Sequence, residues 1–96
     1  MRKRMGRPCL KRKVNFNPKV NYFKPQGVRM TDLEVVELKK EELEAIRLKN
    51  VKNFDQRECA EAMHTSAATF QRILASANQK IAIALTQGKA IKIIKE

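Results

Sequence analysis

No stretch of this 96-residue chain is apolar for long enough to span a bilayer, and its basic opening, MRKRMGRPCLKRK, lacks the apolar run that a secretory signal needs. Neither membrane insertion nor export is expected, and a soluble cytoplasmic protein is. Cysteine is scarce. Cys9 and Cys59 could pair only once, and a chain kept inside the cell normally holds its thiols reduced, so no disulfide is expected. Together with the single histidine, His64, they are scattered candidates with no Cys-x2-Cys pair, so no metal or other cofactor is expected. Cys59 reads as a small buried apolar side chain and Cys9 as a free thiol on an arm. Catalysis lacks its parts as well. His64 has no nearby nucleophile with an orienting acid, no glycine-rich phosphate loop occurs, and Glu41, Glu42 and Glu44 read as a solvated run on a helix face. The chain is therefore expected not to be an enzyme and to have no catalytic residue; the acidic face would at most dock a basic protein partner.

The most informative absence is that of acid from residues 1–30. Arg2, Lys3, Arg4, Arg7, Lys11, Arg12, Lys13, Lys19, Lys24 and Arg29 give this segment +10, residues 31–61 carry −3 and residues 62–96 carry +4, for a net +11. A polyanion would meet the two ends and avoid the middle. Basic tails are also often merely solubilising, so the charge needs a supporting motif before it says more.

Helical periodicity is missing from the same segment, which Pro8, Pro18, Pro25 and Gly27 punctuate as an extended arm. Within it, KVNFN places Val14 and Phe16 on one face, enough for a short strand. Helices are expected after it. Thr31 with Glu34 forms a capping box that would start a short one, and a second is expected over roughly 40–49, although Lys39 is a poor cap. Asp55 with Glu58 caps a third, with Phe54 able to staple onto Cys59. Ser66 caps a fourth, whose apolar positions Phe70, Ile73, Leu74, Ala77, Ile81, Ala84 and Leu85 keep helical spacing up to a stop at Gly88. The AIKII that follows has strand composition.

The third and fourth helices have the parts of a helix-turn-helix. Ala60 is the small residue at the crossing, Cys59, Met63, Phe70 and Ile73 form the inner faces, and HTS is the turn. Ser66, Ala67, Ala68, Gln71, Arg72 and Ala75 are left on the outer face. Small side chains there let the helix start approach a major groove closely, and Gln and Arg are suited to base edges or phosphates. A plain helical hairpin in a core would show the same periodicity; the basic arm favours the nucleic-acid reading.

The blocks YFKPQGV, ELEAIRL, ECAEAM, SAATFQRIL and KIAIALTQGKAI, in that order and spacing, resemble the domain-of-unknown-function 134 family of small prokaryotic proteins. The resemblance runs from about Val14 to Ile94. It implies a helix-turn-helix similar to region four of sigma factors, a DNA-binding role in transcription, and a recognition helix from Ser66 to about Leu74. Four positions depart from the family pattern: His64 and Asn53 stand where glycine is common, Thr65 replaces a more apolar turn residue, and Lys39 replaces a hydroxyl cap.

The expected fold is mainly α: about four helices with an extended basic arm and room for one short strand at each end. The arm is residues 1–30, the helical domain 31–88 with its helix-turn-helix at 55–75, and a C-terminal strand or tail 89–96. The expected function is sequence-specific binding of double-stranded DNA in transcriptional regulation. Gln71 and Arg72 would read bases or phosphates, with Ala67 and Ala68 against the groove and Ser66 and Thr69 on phosphates. Arg2, Lys3, Arg4, Arg7, Lys11, Arg12 and Lys13 would give a second grip on the backbone or minor groove. The alternative is a protein- or RNA-interaction module whose arm binds nucleic acid without sequence readout. A homodimer through the C-terminal part is expected, because Ile83, Ile91, Ile93 and Ile94 form spare apolar surface and dimers double a small DNA contact. Pairing of Ile91 and Ile93 with Val14 and Phe16 of the same chain is the monomeric alternative.

Overall fold

The computed structural model describes residues 13–15 and 18–94. From Asp55 onward the expected helices are in place. The Asp55 carboxylate accepts the Glu58 N–H at 2.8 Å and the Glu58 carboxylate accepts the Asp55 N–H at 2.9 Å, opening a helix over Gln56–Ala62, here α2. Ser66 opens the next, α3, over Ala67–Gln87. It stops at Gly88, whose φ of 69° directs the Gly88 and Lys89 N–H groups onto the Ala84 carbonyl.

Upstream, the Thr31 signal makes no α-helix. A single 3-10 turn over Met30–Asp32 gives way to a strand over Val35–Lys39. Local capping chemistry loses here to a long-range ladder. Val35 and Val36 are β-branched and favour extended backbone. The Ala90 N–H donates to the Glu34 carbonyl at 2.9 Å, and the Glu34 carboxylate that the box required pairs with Lys89 at 2.9 Å. The expected second helix does form, over Lys40–Ile46 as α1, and continues as a wider π-type turn over Arg47–Val51. In place of a side-chain cap from Lys39, the Glu42 carboxylate accepts the Lys39 N–H at 2.9 Å.

The strands also differ from one at each end. Tyr22–Phe23, Val35–Lys39 and Ala90–Ile94, numbered β1 to β3, form one sheet in the order β1-β3-β2. The AIKII strand is central, antiparallel to β1 (Tyr22 opposite Lys92) and parallel to β2 (Leu38 opposite Ile93). Val14 lies in no strand, and Phe16 lies outside the described residues. Ile91 lies opposite Phe23 and Val36, and Ile93 lies opposite Leu38 and donates its N–H to the Asn21 carbonyl, so Val14 is not among their mates.

Two apolar clusters hold the elements together. Ala45, Leu48, Cys59, Ala60, Met63, Phe70, Ile73 and Leu74 bury the junction of α1, α2 and the first half of α3, with Phe54 packed against it. Leu38, Ala77 and Ile93 join the sheet to α3, and Ile46 touches both clusters. Cys59, Met63, Phe70 and Ile73, expected on the inner faces, are all buried; of the other apolar positions expected on the fourth helix, Ile81 is half-buried and Leu85 keeps 75% of its surface. Ile93, expected to need a partner chain, is buried by its own sheet and helix.

Candidate nucleic-acid interface

The joint between α2 and α3 is fixed by backbone chemistry. Thr65 N–H donates to the Ala60 carbonyl at 3.0 Å and His64 N–H to the Glu61 carbonyl at 3.1 Å, a helix ending that needs left-handed backbone between them. His64 supplies it at φ 56°. Asn53 does the same at φ 61° before α2. Both residue types enter that region more readily than β-branched ones.

Beyond the turn, the Ser66 hydroxyl accepts the Thr69 N–H at 3.1 Å and donates to Thr69 Oγ1 at 3.0 Å. Arg72 Nη2 donates to the same Thr69 oxygen at 3.4 Å, so the guanidinium is drawn toward the start of the helix. Gln56 Nε2 ties the start of α2 to the Ala67 carbonyl at 3.3 Å. Ser66, Ala67, Ala68, Gln71, Arg72 and Ala75 are all exposed and Thr69 is half-buried, which brings together every site residue expected on this helix. Phe70, Ile73 and Leu74 hold the opposite side in the core. No acid occurs in α3, and Arg72 makes no ion pair among the described residues. Of the expected arm residues, Lys13 is exposed, whereas Arg2, Lys3, Arg4, Arg7, Lys11 and Arg12 lie outside the described residues.

The acid run of α1 does not form the solvated face expected of it. Glu42 keeps 4% of its surface and Glu44 none, so neither belongs to a solvated face. Glu44 accepts two bonds from Arg47, at 2.7 and 3.0 Å, and the Asn15 N–H at 3.0 Å. Glu42 accepts Ser76 Oγ at 2.6 Å and Lys80 Nζ at 2.8 Å. Burial alone would push the Glu42 carboxyl up, but the bonds from Lys80, Ser76 and the Lys39 N–H outweigh it and hold its pKa below the ordinary 4.5. Burial raises the Cys59 thiol and leaves it a poor nucleophile. The Glu44–Arg47 spacing of three was legible as a helical ion pair; the donors from Asn15, Ser76 and Lys80 are far off in sequence, and no local signal points to them. Among the described residues no group of three His, Cys, Asp or Glu side chains could hold a metal ion, and no helix is long and apolar enough to cross a membrane.

All 96 residues match the family described as "Protein of unknown function DUF134", and the chain belongs to that family. A UPF0251 protein of Clostridium tetani (strain Massachusetts / E88) is 53% identical over 89 residues, which cover 93% of this chain and 60% of the relative. A UPF0251 protein of Clostridium botulinum (strain Hall / ATCC 3502 / NCTC 13319 / Type A) has the same identity over 89 residues, 93% of this chain and 57% of its own length. The chain thus spans no more than about 60% of the length of these curated relatives. No solved structure matches it.

Proposed function

We propose that the chain binds double-stranded DNA sequence-specifically and acts in transcriptional regulation, with α2, the turn and the first turns of α3 as a helix-turn-helix. The observation that carries this is the outer face of α3 between Ser66 and Ala75: small at its start, free of acid, and bearing Gln71 and an Arg72 with no ionic partner among the described residues. A face so shaped can enter a major groove, where Arg and Gln form paired hydrogen bonds with guanine and adenine edges. Positive charge at both ends of the chain adds backbone attraction. Selection of bound duplexes from a random pool tests this reading. Recovery of a shared sequence supports it, whereas binding that is steep in salt but indifferent to sequence leaves a nucleic-acid-binding interaction module instead.

A homodimer suits this function, since one short helix rarely buries enough surface for specific binding. Ile93 no longer argues for it, being internal. On the C-terminal half of α3 the large apolar side chain left open is Leu85. Sedimentation at micromolar concentration, with and without Leu85→Lys, is expected to show a dimer that the substitution dissolves. A monodisperse unmodified monomer that binds one unrepeated site removes the dimer.

A further inference from the structure

Gln56 opens α2, but its side chain reaches α3. Nε2 donates to the Ala67 carbonyl at 3.3 Å, across an exposed surface. A carbonyl only accepts, so the nitrogen side of the amide faces Ala67. In an α-helix Ala67 and Gln71 stand one turn apart on one flank, about 40° from each other around the axis, whereas Arg72 lies roughly 140° from Ala67. The Gln56 amide therefore joins the Gln71 side of the exposed face. The two helices do not need this bond to stay together. Cys59, Ala60 and Met63 are already buried with Phe70, Ile73 and Leu74, and the His64 and Thr65 N–H groups fix the turn. A neutral hydrogen bond in contact with solvent adds little to that. What the bond does is hold a long side chain still, so that the rotamer freedom it would lose on meeting a ligand is already lost. Oε1 and the second N–H of the amide have no partner among the described residues. They are one acceptor and one donor, the pair with which a glutamine amide recognises N6 and N7 of adenine.

We propose that Gln56 is a further specificity-determining residue, which reads an adenine in the major groove next to the base met by Gln71. The inference rests on the DNA reading of α3 given above. The small, exposed Ala67 leaves room for the Gln56 side chain to lie along the start of that helix. The surrounding charge favours a base over the backbone. Asp55 and Glu58 stand in the same turn as Gln56, and among the described residues each accepts only a main-chain N–H of the other. Both keep their negative charge, which opposes a phosphate close by. A base edge is neutral and meets no such opposition.

Selection of bound duplexes from a random pool, repeated with the full chain carrying Gln56→Ala, Gln56→Glu or Arg72→Ala, tests this. The sequence selected by the unmodified protein is expected to hold an adenine that Gln56→Ala no longer prefers, while the positions that Arg72→Ala relaxes stay as they were. Affinity of Gln56→Ala for that duplex should fall by about 5- to 100-fold, the range of one paired base contact. Replacing the adenine should weaken the unmodified protein by a similar factor and Gln56→Ala hardly at all. Gln56→Glu separates reading from folding. It puts a further acid in the first turn of α2, which favours the helix, but it has no N–H to donate. It should lose the adenine preference while melting no lower than the unmodified protein. A selected sequence that neither Gln56 variant alters, or a loss of affinity equal on every duplex, overturns the inference. If Arg72→Ala still relaxes the selected sequence in that case, the reading of α3 stands and this inference alone fails. No shared sequence for the unmodified protein removes both.

Discussion

α1 and the first turns of α3 both carry polar side chains at helical spacing, and they serve opposite ends. On α1 the charged groups turn inward, where Glu42 and Glu44 each collect several donors from distant parts of the chain. On the first turns of α3 the polar groups turn outward, and the fold asks little of them beyond the Ser66 cap; only further along do Ser76 and Lys80 turn in to Glu42. Charge on a helix therefore says little about its duty until its partners are known. A carboxylate surrounded by donors is part of the framework, and a cation left without an ionic partner is available for something else.

The comparison breaks most sharply at Glu44. Its replacement by alanine leaves the Arg47 guanidinium without its carboxylate and the Asn15 N–H without an acceptor. Removing one member of a buried pair costs about 3–5 kcal/mol, and the lower figure is expected because the Arg47 side chain keeps 23% exposure and can recover some hydration. Urea denaturation of Glu44→Ala checks this. Glu42→Gln comes next, with a loss of roughly 1–3 kcal/mol for bonds to a charged acceptor. The same carboxylate makes stability depend on pH. Its folded pKa lies below the ordinary 4.5, so its contribution is present above that value and disappears as pH falls through the lower, folded value. Acid titration of stability should flatten in that range for Glu42→Gln relative to the unmodified protein.

Smaller effects sharpen the contrast from the other side. His64→Gly relieves left-handed backbone at the turn but frees the unfolded chain, for a net gain below about 1 kcal/mol by thermal melting. Arg72→Ala should change folding stability by no more than about 0.5 kcal/mol, as expected for an exposed side chain outside the core. Equal stability losses at Arg72 and Glu42 would erase the distinction between the two helices.

How much of this was legible follows from what each element rests on. α2 and α3 depend on neighbours in sequence: Asp55 with Glu58, Ser66 with Thr69, and the stop at Gly88, so their ends could be read within a residue. The exposed face of α3 followed from the same periodicity. Thr31 and Glu34 spell the same kind of start, yet the segment after them becomes β2, because its partner strand lies beyond residue 89. No window short enough to show a capping box contains both strands. Glu42 and Glu44 were misread for the same reason, since their burial is set by α3, Lys80 and Asn15. Leu85 kept helical spacing with the core residues, yet it stays exposed while Ala84 beside it is buried.

The central claim is that the outer face of α3 reads DNA. It is tested most directly by the ratio of affinities for a selected duplex and a scrambled one, measured at one fixed salt concentration for the unmodified protein and Arg72→Ala. The expected ratio for the unmodified protein is on the order of 10³ or more. Arg72→Ala should reduce it by the roughly 1–3 kcal/mol of a paired base contact, with folding intact. A folded protein that shows no preference between the two duplexes, or a preference that Arg72→Ala leaves unchanged, would contradict the account.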